Sequence, residues 1–335
     1  MRPRRVAPRR LRVAVALLAT AAGCGPTSFV ITPVPTEQAL REQVVLRESP
    51  LATRKIALVD VDGVLRNARA TSLLGTSGEN PVSVFSEKLA AAAADPDVRA
   101  VVVRINSPGG TVTASDLMYQ ELVRFRQHTG KPVIAALLDV AASGGYYLAC
   151  AADRIYAQPT TVTGSIGVLL LAPEFAGTMQ KLGIGMNVIK SGPLKDAGSP
   201  FRTMSDEDRA VFERLIAGMH ARFLEVVGRS RTGLPPERIR ELADGRVYLG
   251  PDAQAVGLVD EVGTLPDAIA AAKRAAGLER TPVRVVQYAR PLAWRPNIYA
   301  EAPPAPGTVN VVNVELPDWL ASPAPQLLYL WAPGW

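Results

Sequence analysis

From residue 55 onward, short β-branched runs alternate with stretches of helical periodicity, and that alternation restricts the chain to βαβ units built on a parallel sheet. Strands are expected over residues 56–61, 100–105, 133–138, 154–157 and 186–189, with helices over 85–94 and 115–128. A longer helix should follow Ser205, whose hydroxyl forms a capping-box-like start with Asp208. Phe212, Leu215, Ile216, Met219 and Phe223 then share one face, which suits a core or a subunit contact rather than a cofactor. No internal repeat at a fixed period interrupts the pattern. With 335 residues, 48% of them hydrophobic, the chain has apolar mass for one large core or two modest ones.

The formal net charge of +6 suggests an acidic partner, but its distribution removes the suggestion. Six arginines (Arg2, Arg4, Arg5, Arg9, Arg10, Arg12) lie before residue 24, and the other 312 residues carry 31 basic and 31 acidic side chains. A nucleic-acid partner is therefore not expected. The basic start runs into an apolar stretch over residues 13–22, short of the roughly 20 residues a bilayer-spanning helix needs. Residues 1–23 accordingly read as an export signal. They lead into Ala21-Ala22-Gly23-Cys24, which resembles the lipobox of bacterial lipoproteins. That resemblance implies cleavage before Cys24 and a diacylglycerol on its sulfur, although Ala21 stands where leucine is commoner. Small residues at 19–21 suit an ordinary signal peptidase as well. Acyl chains at Cys24 would hold the protein at a membrane surface facing the periplasm or cell exterior. Residues 24–54, with Pro26, Pro33, Pro35 and Pro50, read as a tether of mixed stiffness. Cys150 is the only other cysteine, so neither a disulfide framework nor a cysteine zinc site is expected.

Residues 276–335 differ in kind, holding all four tryptophans and ten of the 28 prolines. Such a segment is not expected to build its own core. It reads as an arm packed on its own domain, on a neighbour or at a membrane interface.

Four stretches could carry chemistry. Ser143, in Ala142-Ser143-Gly144-Gly145-Tyr146-Tyr147, sits between an apolar strand and a helical run, where a nucleophile can be presented on a tight turn. A serine there is also an ordinary helix N-cap. Asn106-Ser107-Pro108-Gly109-Gly110 occupies a second strand-to-helix junction, where glycine N–H groups could hold an oxyanion or simply make a turn. A nucleophilic serine needs a base, and the two histidines are poorly placed. His128 precedes Gly130 and Pro132 at a helix end, and His220 lies inside the helix after Ser205. Of the seven lysines, Lys195 stands in a loop rich in turn formers, while Lys190 closes an expected strand and should reach solvent. A lysine serving as base near neutral pH must be carried well below the ordinary value of about 10.4, and burial beside apolar groups can do that. In Thr163-Gly164-Ser165-Ile166-Gly167, Ser165 could orient such an amine.

Taken in order, Ser107-Pro108-Gly109-Gly110, Ser143-Gly144-Gly145-Tyr146-Tyr147, Thr163-Gly164-Ser165-Ile166-Gly167 and Lys195-Asp196 with Ser199-Pro200 resemble the bacterial signal peptide peptidase A (SppA) family. The likeness extends through Gly245-Arg246-Val247-Tyr248 to Gly257-Leu258-Val259-Asp260 and spans residues 55–275. It implies an α/β fold of the ClpP/crotonase-like type, a spiral of ββα units, followed here by a Pro/Trp-rich C-terminal extension. It also implies a serine peptidase with a Ser-Lys dyad: Ser143 as nucleophile, Lys195 as general base, the Gly110 and Gly144 N–H groups as oxyanion hole, and Ser165 holding the amine. Leu194 departs from the aromatic residue often found before the lysine. The implied activity is a membrane-associated endopeptidase that degrades apolar peptides, such as signal-peptide remnants, through an acyl-enzyme. The implied assembly is a homo-oligomeric ring in which the serine of one protomer meets the lysine of the next. Two other readings stay open. A crotonase acting on coenzyme A thioesters would share the paired-glycine turn, though the exported leader opposes it; a lipoprotein scaffold of peptidase ancestry would require a lost dyad. No metal, nucleotide or prosthetic group is implied.

Overall fold

A computed structural model describes residues 39–68, 70–72, 75–77, 79–290 and 326–331. The leader, Cys24, the first part of the expected tether, and Trp294, Trp319 and Trp335 lie outside the described residues. The chain opens with β1 (Arg41–Arg47), β2 (Arg54–Asp62) and a small hairpin of β3 (Ala70–Ser72) and β4 (Gly75–Ser77). There follow α1 (Pro81–Ala94), β5 (Val98–Ser107), β6 (Gly109–Thr111), α2 (Val112–Thr129), β7 (Val133–Ala142), α3 (Gly144–Ala149), β8 (Arg154–Ala157), β9 (Val162–Gly164) and β10 (Leu169–Leu171). The remainder comprises α4 (Ala176–Lys181), a 3-10 turn at Pro193–Asp196, α5 (Asp206–Ser230), α6 (Pro236–Leu242), β11 (Val247–Leu249), α7 (Gly250–Ala255), β12 (Glu261–Val262), α8 (Leu265–Ala275), β13 (Val283–Ala289) and β14 (Gln326–Leu330).

The central sheet runs β1-β13-β2-β5-β7-β8-β12, with β9 added to β7 and β11 to β9. Every pairing in it is parallel except β1 with β13 and β11 with β9, so the βαβ expectation holds. The strands are buried on both faces because their side chains alternate between two cores. Val59, Val103 and Ala135 meet α1, α2 and α3 on one side, whereas Leu58, Val102 and Ile134 meet α8 on the other. Local signals set the helix starts. Asn80 accepts from the Val82 and Ser83 N–H groups ahead of α1, and Thr111 caps α2 at Ala114. The box of Ser205 and Asp208 opens α5 as the sequence indicates. Gly130, at φ 65°, closes α2 in the left-handed conformation.

Three expectations are corrected. Residues 41–47 are not tether: they form edge strand β1, whose backbone is satisfied by β13. Residues 186–189 form no strand; they are exposed, and no strand of the described chain lies beside them to supply hydrogen bonds. The folded body does not stop at 275, because β13 lies inside the central sheet between β1 and β2. On α5, Phe223 is buried but Leu215 is exposed, so the apolar face is only partly used within one chain.

One polar group interrupts the apolar interior. Arg104 on β5 reaches Asp60 on β2 at 2.9 Å, and Lys88 on α1 reaches the same carboxylate at 3.7 Å, all three buried. A buried charge that loses its partner is costly even where the intact pair contributes little. Asp60→Ala should therefore lower the unfolding free energy by about 3–5 kcal/mol in urea titrations followed by circular dichroism. An unchanged midpoint would show that the two cations need no carboxylate.

Candidate active site

Strands β7 and β9 run side by side with Ala142 opposite Gly164, and the chain leaves each of them through a serine. Ser143 and Ser165 both have φ 50°, and among the described residues they are the only non-glycine positions with positive φ. Such a conformation costs on the order of 1–3 kcal/mol per residue and persists only where the surroundings enforce it. Here backbone hydrogen bonds enforce it. The Ser143 N–H donates to the Gly164 carbonyl at 2.7 Å, and the Ser165 N–H donates to the Arg246 carbonyl at 2.8 Å. Ser143 precedes α3, yet its hydroxyl makes no capping bond, in contrast to Asn80, Thr111 and Ser205. The ordinary N-cap explanation for this serine therefore fails. Its side chain is buried, with a relative exposure of 1%.

The paired glycines of β6 come against the same turn. Ser107 donates through Oγ to the Gly63 carbonyl at 2.6 Å and accepts from the Gly109 N–H at 3.1 Å, which fixes the bend around Pro108. The Leu65 N–H donates to the Gly109 carbonyl at 2.8 Å, and the Thr111 N–H donates to the Leu65 carbonyl at 2.9 Å. One edge of β6 is thus occupied, and Gly110 turns its N–H and carbonyl to the other edge, where β14 lies antiparallel. In that register Tyr329 faces Gly110, and the Trp331 N–H donates to the Pro108 carbonyl at 2.8 Å. The alternation of an antiparallel ladder then aims the Gly110 N–H at the Tyr329 carbonyl. The Gly144 nitrogen lies close to the same place. A Cβ on Gly109 would stand 2.0 Å from the Tyr329 carbonyl oxygen and 2.7 Å from the Gly144 nitrogen, and Gly109 itself has φ 101°. The Gly110 N–H, the Gly144 nitrogen and the Tyr329 carbonyl are thus neighbours at this turn.

Behind the turn, α3 is wholly buried. The Tyr146 hydroxyl donates to the Leu258 carbonyl at 2.7 Å, and the Tyr147 hydroxyl donates to Asp116, which also accepts from the Arg222 guanidinium. Burial first, and the Asp116 carboxylate second, hold the Tyr147 hydroxyl above its ordinary value, so it stays a donor. The Tyr147 ring packs against Tyr119 and Phe223 at centroid distances of 5.3 and 5.0 Å.

The candidate base is elsewhere. Lys195 is exposed in the turn Pro193–Asp196, and among the described residues no hydrogen bond joins it to Ser143 or Ser165 of the same chain. Lys190 is engaged instead, donating to Asp196 at 2.6 Å and to the Pro193 carbonyl at 2.9 Å. Arg202 chiefly, then Lys190, hold the Asp196 carboxyl well below the usual carboxylate range, so that pair stays ionised at neutral pH. His128 is exposed at the end of α2, and His220 is half-buried on α5 with no partner at Nε2. The structure thus brings Ser143 and Ser165 onto neighbouring strand ends beside the Gly109–Gly110 turn and Gly144, and among the described residues it bonds Lys195 to neither serine. Sequence reasoning missed the Ser107 clamp, the Leu65 bridge and Tyr329. A polar side chain just before a Pro-Gly-Gly turn was a signal for the clamp; the other two depend on distant chain segments.

A model of peptidase family S49 matches residues 125–279, a range that holds Ser143, Ser165 and Lys195. A protein of Enterococcus faecium that bears the name signal peptide peptidase SppA is 33% identical over 241 residues, which are 72% of this chain and 69% of that protein. The chain belongs to the S49 peptidase family, that of SppA. A protease of Synechocystis sp. is 34% identical over 244 residues, covering 72% of this chain and 82% of the relative. The chloroplastic serine protease SPPA of Arabidopsis thaliana is 36% identical over 247 residues, though this chain spans only 36% of that longer protein. This S49 member is accordingly a serine-type protease of the signal peptide peptidase kind, and its parallel-dominated sheet is the ClpP/crotonase-like fold of the family. The clamp gives a direct check on the site's construction. Ser107→Ala strands the Gly109 N–H and the Gly63 carbonyl, and should cost about 1–3 kcal/mol of stability in chemical denaturation. A loss near zero would mean that the turn holds itself.

Proposed function

We propose that the chain is a membrane-associated endopeptidase that cleaves apolar peptides, signal-peptide remnants among them, through an acyl-enzyme on Ser143. The observation that carries this reading is the closeness of the Gly109–Gly110 turn, the Gly144 nitrogen and a peptide carbonyl at the turn of an uncapped serine of positive φ. Attack by Ser143 Oγ would place negative charge on the carbonyl oxygen, where the two donors are already oriented; removing one such donor typically costs about 10²–10³ in kcat. Lys195 takes the serine proton and returns it to the departing amine, and water then hydrolyses the ester. Ser165, at the end of the neighbouring strand, orients the amine.

That Lys195 is exposed and bonded to neither serine of its own chain supports a shared site in a homo-oligomeric ring, with the lysine supplied by the adjacent protomer. The surface around Lys195 fits that reading. Phe175, Leu182, Ile184, Met186, Val188 and Ile189 are all exposed within one short stretch of chain, and so many exposed apolar side chains suit an association surface. Ser143→Ala should abolish peptidase activity and labelling by a fluorophosphonate. Lys195→Arg should be nearly inactive, because a guanidinium stays protonated. Equal mixtures of reassembled Ser143→Ala and Lys195→Ala protomers should regain about one-quarter of wild-type activity, since random neighbours in a closed ring join an intact serine to an intact lysine that often. Zero recovery from a correctly sized mixture would place the dyad within one chain.

The membrane association is proposed through Cys24. Metabolic labelling with a fatty-acid analogue should mark the wild type, and Cys24→Ala should lose the label and move to the soluble fraction. An unlabelled, soluble wild type would mean ordinary signal cleavage.

A further inference from the structure

We infer that Arg202 is the positioning residue for the general base: it fastens the turn that carries Lys195 to the start of α5 and keeps the charge of Asp196 engaged away from the lysine. The inference rests on the reading of Lys195 as base given above. The turn does not hold its place by itself. Its backbone bonds are local, from the Lys195 N–H to the Gly192 carbonyl at 3.2 Å, the Ala197 N–H to the Leu194 carbonyl at 3.1 Å and the Ser199 N–H to the Asp196 carbonyl at 3.0 Å. Residues 181–191 ahead of it are exposed, and so is Lys195, a side chain with many rotamers to choose from. A working base has to stand within about 0.5 Å of its productive position. Misplacement by about 1 Å can cost on the order of 100-fold in rate.

Arg202 supplies the anchor that the turn lacks. Its Nε and Nη2 donate to the two oxygens of the Asp196 carboxylate, each at 3.0 Å, and Nη2 also donates to the Asp196 carbonyl at 3.1 Å. One planar fork thereby grips both the side chain and the main chain of the residue next to Lys195. Nη1 is left for the helix, donating to Asp208 at 2.5 Å and to the Thr203 carbonyl at 3.1 Å. Asp208 is fully buried, accepts from the Ser205 N–H at 3.1 Å and belongs to the first turn of α5. Phe223, Val226 and Val227 of that helix sit in the main core. A single guanidinium thus joins the lysine turn to a helix that the core holds still.

The charges carry the second half of the inference. A free carboxylate beside Lys195 would favour the ammonium, and an ammonium cannot take the serine proton. Asp196 is committed elsewhere. Besides the fork of Arg202 it accepts from Lys190 at 2.6 Å, and Lys190 also donates to the Pro193 carbonyl at the start of the turn. Lys190 and Arg202 balance Asp196 and Asp208, two cations against two anions. Glu174, which accepts from the Thr203 hydroxyl at 3.1 Å, and Asp206 and Glu207 in the first turn of α5 add further negative charge nearby. Without Arg202 all of these carboxylates act in one direction, towards a protonated lysine.

The test follows a fluorophosphonate–rhodamine probe as it labels Ser143 of the full chain across a range of pH, with saturation separating probe binding (KI) from reaction (kinact). Arg202→Ala, with a thermal transition and an assembly size like those of wild type, should lower kinact about 100-fold at unchanged KI. The acidic limb of its pH profile should also move to higher pH by about half a unit, the scale of one uncovered charge several Å away near the surface. Arg202→Lys keeps the charge and loses the fork, so its limb should stay at the wild-type pH while its kinact lies between those of wild type and Arg202→Ala. Millimolar guanidinium chloride should restore part of the Arg202→Ala rate, and tetramethylammonium chloride should not. Labelling of Arg202→Ala at the wild-type rate and pH dependence would overturn the inference, as would a loss that guanidinium leaves unrepaired and that moves no limb. Lys195→Ala tests the underlying reading: wild-type labelling there means that Lys195 is not the base. Loss in Lys195→Ala beside a fully active Arg202→Ala removes the positioning role alone.

Discussion

Three backbone segments meet at Gly109 and Gly110 at distances that admit no side chain, and the geometry of the site depends on that crossing. A Cβ on Gly110 would fall 1.9 Å from the Leu65 carbonyl oxygen, and one on Gly109 would fall 2.0 Å from that of Tyr329. Glycine is required here for space as well as for conformation. Because the donors are main-chain N–H groups, their direction is set by the sheet and not by rotamers. Strand β5 delivers the turn, Ser107 clamps it to Gly63, and the residue after Gly63 and Val64 closes the outer edge of β6. Electrostatic stabilisation of a developing oxyanion works best when nothing has to reorganise, and a crossing held by backbone hydrogen bonds on both sides meets that condition.

The serines owe their strained conformation to a change of partner along β7. Its first half, Ile134 to Leu137, pairs with β8, while Val140 to Ala142 pair with β9. At the switch, the Thr161 hydroxyl lies 2.6 Å from the Leu138 carbonyl and accepts from the Gln158 N–H at 2.9 Å, so the opening between β8 and β9 leaves those backbone groups satisfied. A point where neighbouring strands diverge at their carboxyl ends is where open α/β sheets make their clefts. Ser143 and Ser165 stand on the two lips of that divergence, which explains how residues 22 positions apart in the chain come to share one conformation and one place.

The exposed stretch around Lys195 has a different physical character. It lacks the strand partner that its β-branched residues suit, and Ile189 is as exposed as it would be in an extended peptide. The ion pair of Arg202 with Asp208 in the first turn of α5, and the bond from the Phe175 N–H to the Pro200 carbonyl, tie the loop to the body, while Lys190 and Arg202 hold Asp196 within it. Apolar surface of this extent is stabilised when something covers it. In the ring proposed above, a neighbouring copy would cover it and bring the lysine to the serine of the adjacent chain.

Much of this protein was legible from its residues because the signals are local. Near-continuous aliphatic runs made β2, β5 and β7; Asn80, Ser205 with Asp208, and Gly130 set helix ends; and the order of the serine and glycine motifs marked the two turns that the fold brings together. A hydrophobic period of two, or a cap, is written within a few residues, so no distant partner is needed to read it. What the sequence left open depended on pairing. The tether-like residues 41–47 became a strand only because β13 lay beside them, residues 186–189 failed to become one for want of such a neighbour, and the Pro- and Trp-rich end placed Tyr329 against Gly110 only through the register of β14. Strand pairing joins residues of arbitrary separation, and its register is decided by whichever edges and pockets the rest of the chain has already built. Tertiary structure alone therefore decided which residue comes to face Gly110, while the local sequence determined that a glycine pair and a serine turn would be there.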